Sequence, residues 1–78
     1  MKLIKNIKEL KQGDYIQYMF RREYPRYGIF QELEGEQVFC FFGDTWEDAK
    51  RAKIKTFIIL KTTPFYKLSK EEVIADVL

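Results

Sequence analysis

The sequence contains no histidine. That removes the side chain that most often acts as general base near neutral pH and most often ligates a transition metal. A single cysteine, Cys40, leaves no partner for an internal disulfide, which fits a reducing compartment. Cys40 stands between Phe39 and Phe41, where a free thiol reads as a small buried apolar residue rather than a nucleophile. Ser69 is the only serine, and a helix-capping role accounts for it. The four glycines form no phosphate-cradling loop. No apolar run approaches the roughly 18 residues that a membrane-spanning helix needs. Met1-Lys2-Leu3-Ile4-Lys5 begins like a leader, but charge returns at once and no apolar core follows, so the reading is cytoplasmic. Together these absences argue against an enzyme and give no cofactor and no metal to expect.

Aromatic residues are plentiful instead: seven Phe, five Tyr and one Trp among 78 residues. A chain this short buries only roughly 60% of its unfolded surface, so a dense core or a partner is needed, and rings supply much area each. One domain, 1–78, is expected, without repeats, linkers or low-complexity tracts. The formal net charge of +2 conceals a segregation. Residues 1–26 and 50–78 are each net +4, whereas 27–49 hold six acids and no Lys or Arg. Such a chain suits a partner with its own paired patches.

Along the chain, 2–5 reads as a short β segment. Asn6 then caps a helical turn over 6–14 that Gly13 ends. Asp14–Phe20 alternates as a strand, with Ile16, Tyr18 and Phe20 on one face. The chain turns through Arg21–Arg26, where Pro25 rules out a helix. Tyr27–Leu33 reads as the next strand, with Ile29 and Leu33 facing in and a possible bulge at Gly28. Glu34-Gly35-Glu36 makes a tight turn. "QVFCFF" (37–42) follows, and its five consecutive apolar residues want burial on both faces, the second under a helix, a sheet or a partner. Asp44, with Glu47, caps a helix near 44–52. Lys53–Lys61 is a strand, and 65–68 a short further one. Ser69 caps a C-terminal helix near 70–77, with Glu72 closing the capping box and Leu68 stapled to Val73. Val73, Ile74, Val77 and Leu78 form its apolar stripe, for which the second face of "VFCFF" is a natural dock.

The fold class is therefore mainly β with small α additions: four or five strands in a strongly bent antiparallel sheet. The run "LKQGDYIQY", a loop, and "YGIFQELEGEQVFCFF" resembles a small SH3-like barrel over about residues 10–60, in strand lengths and turns. That resemblance implies a binding fold that serves peptide, RNA and DNA ligands alike.

Two functional readings follow. The first is a protein-binding module, an inhibitor or adaptor such as a phage or mobile element encodes, acting through Arg21, Arg22, Tyr24, Arg26, Tyr27 and Trp46. Arginine and aromatic residues dominate interface energetics. The second is nucleic-acid binding through Arg21, Arg22, Arg26, Lys50, Arg51, Lys53 and Lys55, with tyrosines stacking on unpaired bases. The acidic middle and a pI near 8.7 favour the first. A homodimer through the 38–42 strand is a third reading. Tyr18, Phe20 and Phe30 are expected in the core, Trp46 is either a lid or exposed, and Glu32, Glu34 and Glu36 read as solvated turn carboxylates.

Overall fold

The computed structural model describes residues 2–20, 24–59 and 64–77. Six strands make one antiparallel sheet: β1 (Lys2–Leu3), β2 (Tyr15–Phe20), β3 (Tyr24–Glu34), β4 (Gln37–Gly43), β5 (Thr56–Ile59) and β6 (Phe65–Leu68). Their order is β1-β6-β2-β3-β4-β5. Among the described residues the sheet is accompanied by two short helices, α1 (Trp46–Arg51) and α2 (Lys70–Val77), and a 3-10 turn at Ile7–Glu9. The chain is thus mainly β, and the sheet does not close on itself. It has one or two strands more than four or five, because 2–3 and 65–68 both join the same sheet.

Alternation along the strands separates two faces. Ile16, Tyr18, Phe30, Val38, Cys40, Phe42, Ile58 and Phe65 point to one side and form the main core with Ile4 and Leu10. Both helices belong to the other side. Ile4, Ile7 and Leu10 of the N-terminal segment pack against the inner face. At Gly28 the packing is tight: a Cβ there would lie 2.5 Å from Cε1 of Phe42 and 3.1 Å from Cγ1 of Ile16. Gly28 thus marks a close approach, while the bulge falls between Phe30 and Glu32. In consequence β3 turns Gly28 and Phe30 inward. Ile29, expected inside, pairs with Phe41 and Tyr15 on the outer face. Leu33 lies opposite Val38 on the inner side, but at the hairpin end, where it remains exposed.

Local chemistry explains the element ends. Gly35 takes φ +59° in the two-residue turn that joins β3 to β4. Asn6 accepts from the Lys8 amide and starts the 3-10 turn. The cap of α1 is Thr45, one residue later than expected, and its hydroxyl accepts from the Asp48 amide. Asp44 is left for another partner. β5 starts at Thr56 rather than Lys53, and the expected end of that strand at Leu60 and Lys61 lies outside the described residues. At α2 the capping box is complete: the Ser69 amide donates to Glu72 and the Glu72 amide to Ser69 Oγ. Leu68 and Val73 share a cluster, as a hydrophobic staple requires. That cluster also holds Trp46, Tyr15 and Tyr27, so Val73 docks there rather than on "VFCFF". Leu78 and the side chains of Ile74 and Val77 lie outside the described residues.

Candidate functional site

The Arg/Tyr stretch divides on folding. Arg21 and Arg22 lie outside the described residues. Tyr24, Arg26 and Tyr27 are not in a loop: they belong to β3, which pairs with β2 as far as Phe20 and Tyr24. Pro25 is tolerated because β4 stops at Gly43, opposite Tyr27, so the first residues of β3 are paired on one side only. Tyr24 is exposed at 42%. Arg26 lies opposite Tyr18 and reaches Asp44, with Nε 3.3 Å from Oδ1. Its guanidinium thus lies over one end of the inner core. Burial pushes the Tyr18 phenol above its usual pKa, against the lowering effect of the charge and hydrogen bond from Arg26.

Tyr27 faces the other way and packs on Trp46, with ring centroids 4.7 Å apart. Tyr15 meets the same indole edge-on at 5.4 Å. Trp46 is 3% exposed, so the indole forms the centre of the second cluster beneath α1 and α2. Trp46 is thus buried rather than exposed, but on the outer face of the sheet and not as a lid over the main core.

The basic segment is also largely spoken for. Arg51 pairs with Glu47 one helical turn away at 3.5 Å. Lys55 pairs with Glu32 at 2.5 Å, across β4. Lys50 and Lys53 are exposed and have no ion-pair partner among the described residues. With Arg26 held by Asp44, three of the five described cations in this set face a carboxylate of the same chain.

Cys40 is fully buried, and burial pushes its thiol up to about 12, offset slightly by a hydrogen bond with the Gln31 backbone. It is therefore a thiol, not a thiolate, at neutral pH. Among the described residues no three of His, Cys, Asp and Glu come together as a metal site would need. An open cleft of about 380 Å³ lies beside Lys2, Glu9, Lys67, Ser69 and Glu72. Its charges are engaged locally: Lys2 with Glu9, Lys67 with Asp14, Glu72 with the Ser69 amide.

One surface combines apolar exposure with charge at its rim. On the outer face of β4 and β5, Phe39 lies opposite Phe57 and Gln37 opposite Ile59. The two Phe rings are 5.4 Å apart. Phe57 is 47% exposed and Ile59 37%. Glu32 and Glu34 of β3 continue these two rows, and the Lys55–Glu32 pair crosses the face. Both helices pack at the other end of the outer face, around Tyr15, Tyr27 and Leu68. Phe57 and Ile59 were not among the sequence candidates. The signal was present in "VFCFF", whose second face asked for a cover, but the neighbour that shares it is set by the β4–β5 register.

No protein-family model, curated protein or solved structure matches this chain.

Proposed function

We propose that this chain is a non-enzymatic protein-binding module of the small SH3-like, strongly bent-sheet type, working in the cytoplasm as an inhibitor or adaptor. The observation that carries the reading is the Phe39–Phe57–Ile59 face, with two large apolar side chains more than a third exposed and carboxylates beside them. Apolar surface with a charged rim is the usual make-up of a contact surface. Inert Cys40 and the lack of histidine support a role in occupying a partner rather than transforming a substrate.

The nucleic-acid reading has less support. Arg26, Arg51 and Lys55 each face a carboxylate of the same chain, and a phosphate backbone would have to displace it. Lys50 and Lys53 are too few to make a groove.

The test is affinity capture from a lysate of the source cells, with the wild type and with a Phe57→Ser/Ile59→Thr variant whose melting temperature is checked first. The reading expects a protein retained by the wild type and lost from the folded variant. An identical set of captured proteins removes this surface from the reading. Tight binding of single- or double-stranded oligonucleotides that weakens steeply with salt replaces it with the nucleic-acid alternative.

A further inference from the structure

Residues 4–11 pack on the inner face of the sheet as a strap with two sides. Ile4 and Leu10 are buried in the main core, and Ile7 packs against it. Lys5, Lys8 and Lys11 recur at the same interval of three, and all of them are exposed. The 3-10 turn at Ile7–Glu9, closed by the Leu10 amide on the Ile7 carbonyl, supports that interval, because side chains three apart eclipse in such a turn. The carboxylates nearest in sequence are engaged. Glu9 lies 3.4 Å from Lys2, and Asp14 lies 3.3 Å from Lys67 and accepts from the Lys11 amide. Lys5, Lys8 and Lys11 have no ion-pair partner among the described residues.

We propose that Lys5, Lys8 and Lys11 form a weak, sequence-independent contact with the phosphate backbone of duplex nucleic acid. This goes beyond the protein-binding reading and does not depend on it. The strap lies on the inner side of the sheet, whereas Phe39, Phe57 and Ile59 lie on the outer side. Charge complementarity and side-chain type select the occupant. Residues 4–11 contain no aromatic ring and no arginine, the types enriched at protein contacts, where lysine is depleted. Their apolar side chains, Ile4, Ile7 and Leu10, are turned to the core, so the strap offers nothing to enter a lipid acyl layer. Leu3 is exposed, but it pairs with Tyr66 on the outer face. Lysine binds phosphate as a point charge and reads no base. Without a ring to stack on an unpaired base, the strap gains nothing from a single strand, and a duplex presents the denser charge. A weak hold on nucleic acid by one side of the sheet leaves the other side free to engage a protein, as an adaptor requires.

Fluorescence anisotropy of a labelled DNA duplex, and of one of its strands alone, tests this on the full chain over a range of low salt concentrations. The wild type is expected to bind the duplex more tightly than the strand. Its logarithmic affinity should fall with logarithmic salt at a slope of about −2.7, the value for three phosphates. Lys5→Gln, Lys8→Gln and Lys11→Gln each lower that slope by about 0.9, and the triple variant loses duplex binding. Lys50→Gln/Lys53→Gln changes neither affinity nor slope. Circular dichroism and the melting temperature establish that every variant is folded. No duplex binding at low salt, or binding indifferent to the three strap lysines, overturns the proposal. A strand held more tightly than the duplex, and lost in Tyr24→Ala, assigns nucleic acid to the Arg/Tyr stretch and overturns it too. So does strap-dependent retention on phosphatidylserine vesicles without duplex binding, which makes the surface a membrane contact. Phe57→Ser/Ile59→Thr is expected to bind the duplex as the wild type does, so the failure of either reading leaves the other standing.

Discussion

The ring of Tyr27 packs against that of Trp46 with centroids 4.7 Å apart and planes at 42°. This contact turns the end of an Arg/Tyr stretch inward. It also ties β3 to α1, because Trp46 is the first residue of that helix. Arg26, one residue earlier and so on the opposite face, goes to Asp44. Both contacts cross from the first half of β3 to the segment after β4, which fixes the helix over the sheet.

Trp46→Ala is therefore expected to act on stability. Removing a buried indole of this kind costs about 3–5 kcal/mol, enough to unfold a small domain. Trp46→Phe, which keeps a ring between Tyr15 and Tyr27, is milder and remains measurable by urea denaturation. As the chain has one tryptophan, its fluorescence reports directly. The native emission is expected to be blue-shifted and to move red on unfolding. A red native emission, with an unchanged denaturation midpoint for Trp46→Phe, would place the indole in solvent.

Gly28 carries a steric constraint. A methyl group there meets Phe42 Cε1 at 2.5 Å, and Phe42 is buried in the main core. Gly28→Ala is expected to destabilise by about 1–3 kcal/mol, the cost of overpacking a core. Phe42→Leu in the same background relieves the clash, so the double variant loses less than the two single losses combined. Strict additivity in denaturation midpoints would refute the contact.

Cys40 makes stability depend on alkaline pH. Burial raises the folded thiol to about 12, whereas an unfolded thiol titrates near roughly 8.5. Below that lower value both states are protonated and the stabilisation is fully present. Above it the unfolded state loses its proton first, so stability falls by ~1.4 kcal/mol per pH unit until the folded thiol also ionises. Tyr18, raised in the same direction, adds to the loss at the alkaline end. Cys40→Ala is expected to lower stability at neutral pH but to flatten its decline above pH ~9. Denaturation midpoints collected across that range check the slope; parallel curves for wild type and variant would contradict it. Alkylation at neutral pH should likewise need unfolding.

Much of the architecture was legible because local chemistry specified it. The Ser69–Glu72 capping box, the Leu68–Val73 staple and the Gly35 turn are relationships among residues a few positions apart, and each formed as its spacing indicates. Ile16 and Tyr18 went inside as strand alternation requires. Where a competing local signal existed, the reading slipped. Asp44 and Thr45 are both acceptable caps, and Arg26 drew the aspartate away. Pro25 signalled a loop, yet a strand paired on one side accommodates it.

The sequence by itself determined an antiparallel, ring-rich domain with short capped helices, lacking the histidine and paired cysteines that much site chemistry uses. Its periodicity and caps depend only on neighbours along the chain. Tertiary structure alone decided which rings became core and which became surface. Whether Trp46 meets Tyr27, and whether Phe57 meets Phe39, depends on strand order, on the bulge after Phe30 and on where α1 crosses the sheet. Those are contacts between residues far apart in sequence, set by strand order and register as the sheet buries its inner face. That arrangement leaves Phe57 and Ile59 exposed on the outer face.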